Sequence, residues 1–536
     1  MLPRFSRLAM AAVAATALGA CASGSASAAT PKDALVMAWN IDSISTFDPA
    51  QVGEVVTLEI LKNTCDTLVD FDPKDESKLI PRIAKSWDVS DDNRTITLHL
   101  RDDVKFSSGN PVTAEDAAWS LQRVVKLGYG NAATLTEYGF TKENVGDLIK
   151  ATDDHTLQVK LANPYPVNLV MQAVLANYSS APLDEKTLLT HQKDGDMGNA
   201  WLNTHTECSG PYKLVRWNPG ESIVLQAQPG SASGMPKLKR ILIRHVAETG
   251  TQRLLVAKGD VDIARDLTPE DLKELDAGKD VHVASVLKPQ LIFWTFNLQD
   301  KIFSHEKVRL AMKYLIDYQN LGDTVMQYLG KPWQSFVQSG AFGALPEKEA
   351  NPFSLNLKKA KELITEAGYP NGFEATVYVG SLPWSVPLGQ SIQANAAKIG
   401  VKLNIERMAN AQFFAKVRGR QFQTGIKAFQ TSVPDANGMA SRLVYNPDNS
   451  EAAKQTQYPS WRAAYFDPDM NKRVQAAAVE HDPEKRKELY ASLQKDWMQK
   501  GEMAVMFQTY NVAAVRNTLK NWTWNGFRVY YDEASK

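Results

Sequence analysis

The sequence predicts an α/β protein with mixed sheets, organised in two blocks. Apolar-rich runs of strand length recur along the chain, and capped helical stretches fall between them. A break at Lys288-Pro289-Gln290 then separates an early block from a later one. With 536 residues the chain has room for roughly three or four folding units at about 150 residues each.

Taken in order, Leu35 to Trp39 is strand-like, Asp48-Pro49 marks a turn, and an apolar-periodic helix runs from about Val55 to Thr67. Thr95 to Leu100 (TITLHL) alternates with period two, as a strand with one face on a core does. Thr113-Ala114-Glu115-Asp116 is a capping box opening a helix that runs to Leu127, where Gly128 stops it. Strand-like runs recur at Thr156 to Leu161, Tyr212 to Trp217, Ile223 to Ala227 and Leu238 to Arg244. In the second block a strand from His282 to Val286 is broken by Lys288-Pro289-Gln290 from the aromatic run Leu291 to Asn297, a candidate crossover. Helices follow at Glu306 to Tyr318, at Leu357 to Ala367 stopped by Gly368, and at Pro483 to Lys500 with Asp482 as N-cap. Strands at Glu374 to Val379 and Val401 to Arg407 flank another helix, a β-α-β unit that points to a second sheet.

Composition narrows the function. Hydrophobic residues make up 44% and charged residues 22%, globular proportions that exclude disorder and fibrous repeats. Sixty Lys and Arg balance sixty Asp and Glu, which argues against a whole-chain pull toward nucleic acid. The amino terminus reads as an export signal, with Arg4 and Arg7 ahead of an apolar stretch from Leu8 to Ala20 too short to span a membrane. Two cleavage sites compete. Leu18-Gly19-Ala20-Cys21 looks like a lipobox, ending the signal at residue 20 and lipidating Cys21, and it abuts the apolar run directly; Ala26-Ser27-Ala28 fits ordinary signal peptidase and ends it at residue 28. Either reading puts the protein in the periplasm, free or lipid-anchored. Export leaves Cys65 and Cys208 as a pair in an oxidising compartment, either bridged or buried as two small apolar side chains.

Catalytic signatures are absent. The chain has no phosphate loop, no H-E-x-x-H, no G-x-S-x-G elbow and no EF-hand loop. His205-Thr206-Glu207-Cys208 is the nearest to a reactive cluster and lacks a second ligand pair, so it reads as structural, and no metal or cofactor is expected. Aromatic residues say more. Trp294, Trp333, Trp384, Phe429 and Trp461 lie in the second block, several beside Pro, Ser or Gln, and rings with nearby polar groups line many ligand clefts between domains, although core packing is the better account of any single one. Phe47 and Asn297 join Trp294, Trp384 and Phe429 as ligand-binding candidates.

The segment Leu79 to Ser120, LIPRIAKSWDVSDDNRTITLHLRDDVKFSSGNPVTAEDAAWS, closely resembles the signature of the extracellular solute-binding proteins of family 5, the peptide/opine/nickel class of bacterial ABC importers. The likeness continues through Cys65 to Val69, SGPYKLVRWNPGESIVL (209–225), VAKGDVDIARDL (256–267), HEKVRLAMKYLIDYQNL (305–321) and AKELITEAGYPNGFE (360–374). The resemblance implies a two-lobed periplasmic-binding-protein fold of the large type II cluster. Lobe I would take residues 31–286, with an extra subdomain at about 70–195, and a return at 508–536; lobe II would take 287–507. It further implies a non-catalytic, monomeric binder that closes over a small-molecule or peptide ligand and delivers it to an ABC permease with separate ATPase subunits.

Peptide-binding relatives carry an aspartate for the ligand's α-ammonium in a segment resembling W-x-x-D-Y-x-[DE]-P. The matching stretch here is Phe429 to Ala436, where Ser432 takes the place of that aspartate and Asp435 aligns with the later acidic position. A hydroxyl brings no charge to offset an ammonium, so an opine, sugar-like or other non-peptide solute stands beside a peptide as the expected ligand. A chaperone or sensor on the same fold, or an enzyme with an unrecognised site, are the competing classes.

Overall fold

The computed structural model describes residues 30–536. The expected signal segment and Cys21 lie outside these residues. One eleven-stranded mixed sheet runs through most of the chain. Its path is 402–407, 374–379, 424–430, 281–296, 503–516, 263–264, 34–39, 240–245, 222–227 and 212–218, with 330–332 paired at the side of 503–516. The second sheet expected from the β-α-β unit is therefore the far end of this one. Glu374–Val379 and Lys402–Arg407 pair in parallel around the helix Ser385–Ala397 and join the rest through Thr424–Gln430.

Continuity comes from two long antiparallel strands. Val281–Phe296 and Met503–Arg516 pair from Val281↔Arg516 to Thr295↔Met503. At one end Met503–Arg516 also pairs with Ile263–Ala264. At the other end Val281–Phe296 also pairs with Thr424–Gln430. The break expected at Lys288-Pro289-Gln290 is a bulge inside one strand, because ladder pairing stops after Leu287↔Tyr510 and resumes at Leu291↔Gln508. Pro289 has no N–H to give a ladder, and its carbonyl accepts from Thr431 N instead. The Gln508 side-chain amide donates to Lys288 O and pins the bulge.

The strand Ala34–Trp39 is buried on both faces, as a strand inside a covered sheet must be. Leu35, Met37 and Trp39 enter one apolar cluster with Ile60, Ile241 and Tyr531, and Val36 and Ala38 enter another with Val256 and Leu272. A separate four-stranded sheet, in the order 84–89, 95–100, 156–160 and 149–153, carries the helix Ala114–Leu127. In Thr95–Leu100 the residues Ile96, Leu98 and Leu100 are buried, and this alternation matches the period-two pattern. Asp116 N donates to Thr113 Oγ1 and Thr113 N to the Asp116 carboxylate, closing the capping box, and Gly128 ends the helix at φ 71°. The core of the later block joins Trp294, Phe296, Trp333 and Trp497.

Two helices end early. The helix expected to reach Tyr318 stops at Lys313, and Asp317 caps a new one, Tyr318–Asp323, by accepting from Asn320 N. The helix Val55–Thr64 stops three residues short of Thr67 because Cys65 is extended and bonded to Cys208 in a disulfide. That bridge closes a loop with a sequence separation of 143. Its removal by Cys65→Ala with Cys208→Ala is expected to lower unfolding free energy by about 2–5 kcal/mol. Thiol titration of the denatured, unreduced chain begun at Thr30 is expected to find no free thiol, and two would contradict the bridge.

Candidate ligand-binding cleft

A trench lies where the two halves meet. Three adjoining cavities with shared lining residues make it up: a chamber of about 320 Å³, a waist of about 60 Å³ and an outer mouth of about 740 Å³. One wall is the helix Val55–Thr64, whose Val55, Leu58 and Lys62 share a face and line the trench. On its opposite face Val56, Ile60 and Leu61 are buried in the core. The disulfide ties the end of this helix to the loop before Tyr212, and Cys65 itself lines the chamber. The facing wall is Gln430, Thr431 and Ser432, directly after the strand Thr424–Gln430.

A third wall comes from the C-terminal hairpin, Thr523–Trp524 with Val529–Tyr530, whose tip carries Phe527 and Arg528 into the trench. Gly526 N donates to Glu76, the Phe527 ring packs tilted against Phe71 with centroids 5.0 Å apart, and Arg528 pairs with Asp70. At the waist the bulge turns Lys288 toward the cavity.

The carboxylates of the chamber and waist are taken. Arg265 Nη2 reaches Glu59 Oε2 at 2.8 Å, and its guanidinium lies between the rings of Trp39 and Trp524, 4.2 and 4.7 Å from their centroids. Tyr531 also donates to Glu59 at 2.7 Å. Asp70 has Arg528. Burial pushes the Lys62 ammonium down to about 8 against the raising effect of Asp70. Burial, with Arg265 nearby, pushes Lys288 to about 8 as well. Contacts bridge the trench at the chamber and beyond it: Asn177 Nδ2 donates to Ser432 Oγ at 3.3 Å, Glu137 pairs with Arg442, and Val433 joins the apolar cluster of the four-stranded sheet.

Among the ligand-binding candidates taken from the sequence, Ser432 lines this trench and the others do not. Phe47 is fully buried, its ring edge-on to Trp217. Trp294 is fully buried because it sits mid-sheet on one of the long strands, between two paired neighbours. Asn297 ends that strand and donates to the carbonyls of Arg420 and Phe422. Trp384 precedes a helix and is half-buried against the core of the later block, as is Phe429, which alternates away from the trench-facing Gln430. Trp333 and Trp461 are core residues whose indole N–H groups bind Val337 O and Ser450 O. The aromatic signal in the sequence was core packing.

Asp435 is also committed elsewhere. Its carboxylate holds Arg486 through two bonds of 2.7 and 2.8 Å, accepts from Asn437 N, and is buried. The cluster at His205 to Cys208 is structural: His205 stacks on Trp201, Glu207 accepts from Ser108 N, and Cys208 is in the disulfide. The sequence reading missed Lys62, Asp70, Asn177, Phe527 and Arg528, which no motif marks. Lys288 was visible only as part of the crossover break.

Removing one partner of a buried pair strands the other, so Asp435→Asn is expected to destabilise the fold by about 3–5 kcal/mol in denaturant unfolding. Replacing both, as Asp435→Leu with Arg486→Met, is expected to recover most of that loss. A single variant of wild-type stability would contradict the assignment.

With this geometry in hand, comparison with known proteins is direct. Residues 78–451 match the family described as bacterial extracellular solute-binding proteins, family 5, middle region. The chain is 26% identical over 505 residues to the probable D,D-dipeptide-binding periplasmic protein DdpA of Escherichia coli strain K12, covering 93% of each. In fold it is similar to the periplasmic binding protein DppA of Helicobacter pylori in complex with the peptide STSA, at a TM-score of 0.76 and 21% identity over 94% of this chain and 98% of that one. It is likewise similar to the binding protein AgaA of A. tumefaciens R10 in complex with agropinic acid, at a TM-score of 0.72 and 23% identity over 92% and 96%. The chain thus belongs to the bacterial extracellular solute-binding proteins of family 5.

Proposed function

We propose that this protein is the periplasmic capture component of an ABC importer, closing two lobes over a small solute and presenting the closed form to a membrane permease. The observation that carries the reading is a trench of ligand size between two halves that are joined in the sheet by two strands and bridged by a few polar contacts. Such a joint permits rotation of one half against the other about the bulge at 288–290. In this reading lobe I comprises 31–286 with 508–536, including the subdomain at about 70–195, and lobe II comprises 287–507. Among the described residues no helix is long and apolar enough to cross a membrane, so contact with the bilayer runs through the permease or through a lipid on Cys21.

The relatives bear names or titles that mention a D,D-dipeptide, a peptide and agropinic acid. A peptide-like or opine-like solute is therefore the class we infer. Within it, the segment that reaches the cleft offers Ser432 and no free carboxylate, because Asp435 is held by Arg486. This favours ligands without a free ammonium at that spot.

Scattering of the protein stripped by partial unfolding and then reloaded with the compound it released is expected to show compaction; an unchanged radius at saturation overturns lobe closure. Calorimetric titration with di- and tripeptides is expected to give weak binding to wild type and tighter binding to Ser432→Asp, by about 2–5 kcal/mol where the new carboxylate meets a buried ammonium. Tight binding of ordinary peptides to wild type overturns the reading of Ser432.

A further inference from the structure

The charges at the waist of the trench are not balanced. Glu59 and Asp70 each have an arginine, and Glu76 accepts from Gly526 N behind the hairpin tip. Two ammonium groups remain. Lys62, on the helix wall, donates to Phe527 O and lies in no ion pair. Lys288, on the bulge, makes neither hydrogen bond nor ion pair through its Nζ among the described residues. Both side chains line the same waist, together with Gln430 and Asn511. The exposed carboxylates Asp42 and Asp266 lie farther out, in the mouth, and Asp266 already accepts from Asn40 N.

Given the capture function above, on which this rests, we infer that the waist is an anion subsite: a carboxylate of the bound solute sits between Lys62 and Lys288, and the body of the solute fills the adjoining chamber. A buried ammonium held in no ion pair is an unfavourable arrangement that an incoming carboxylate relieves, and charge-assisted hydrogen bonds are the strongest of those available here. The lowered proton affinity of both lysines has burial as its first cause; at Lys62 the charges of Asp70, Glu59 and Glu76 oppose it without cancelling it, and at Lys288 Arg265 adds to it. Gln430 and Asn511 add neutral side-chain amides at the same waist. Lys288 lies in the bulge at 288–290, where ladder pairing is interrupted, and its side chain lines the waist. The ligand class follows: solutes carrying at least one carboxylate, N-acylated amino acids and peptides included.

The test uses N-acetyl dipeptides and their C-terminal amides as matched probes, on the full mature protein stripped of bound compound. At least one acid is expected to bind, its amide about 10- to 100-fold more weakly, the scale of losing one charged hydrogen bond. Lys62→Met and Lys288→Met are each expected to lose a similar factor for the acid and little for the amide, while Lys288→Arg retains most of the binding. Unfolding curves of the variants verify that they are folded. An amide that binds as tightly as its acid, or an acid that ignores both methionine variants, overturns the inference. Methyl esterification of the compound released on unfolding counts its carboxyl groups. At least one is expected, and none overturns the inference even if every acid probe fails to bind. If a carboxyl-free compound still compacts the protein, only the anion subsite fails; if the released compound causes no compaction, capture itself fails.

Discussion

Everything in this molecule that serves binding hangs on the pairing of Val281–Phe296 with Met503–Arg516. Each strand is long enough to belong to both halves, so one sheet spans the whole chain and neither half can drift away from the other. The same pairing carries the local irregularity at Lys288-Pro289-Gln290, where three residues face one on the partner strand. Three consequences share that origin. The ladder is interrupted between the two halves, the Pro289 carbonyl is freed to anchor the start of the Thr431–Ser432 wall, and Lys288 lines the cavity.

The walls of the trench show how a polar cavity is kept compatible with a stable fold. Each arginine is neutralised by a carboxylate from its own half: Arg265 by Glu59, Arg528 by Asp70, and in the later block Arg486 by Asp435. Buried pairs of this kind contribute little net stability but are expensive to split, so they hold geometry rather than supply binding energy. Arg265 is fixed further by two tryptophan rings and Glu59 by Tyr531. The lysines are different. Lys62 sits on a helix fixed at its end by the disulfide, and Lys288 on a pinned bulge, so both are positioned without being neutralised. Preorganised charge of this sort needs no rearrangement when a ligand arrives.

The fold was legible in the sequence to the extent that local signals decide it. Period-two alternation found Thr95–Leu100, the capping box found Ala114–Leu127, and Asp482-Pro483 found the helix Pro483–Lys500 to the residue. Single-sheet continuity was not legible, because it depends on pairing between strands more than two hundred residues apart. Of the residues singled out in the sequence for binding, Ser432 alone lines the trench, and it was reached through the match to a known segment. Phe47, Trp294 and Asn297 failed because an aromatic or amide beside a turn looks the same whether it faces a cleft or a core, and only burial separates the two. Lys62 and Lys288 were invisible for a related reason: a lysine is marked out here by the carboxylate it lacks, which is a property of three-dimensional neighbours.

Closure has to be strong enough to hold a solute and weak enough to reverse, and the contacts across the trench fit that requirement. Asn177 to Ser432 is one long hydrogen bond, Glu137 to Arg442 is a partly exposed ion pair, and Val433 is one small apolar side chain. Together such contacts supply about 2–4 kcal/mol before the entropy of ordering two lobes is set against them. Shifting a two-state equilibrium from mostly open to mostly closed takes about 5.5 kcal/mol of differential affinity. On the capture reading, the solute adds to these direct contacts by touching both walls at once. A ligand that engaged only the helix wall would bind without closing the lobes, since equal affinity for both states moves nothing. On the capture reading, Ser432 on one wall and Lys62 on the other are the side chains offered to such a solute, with Lys288 at the joint between the walls.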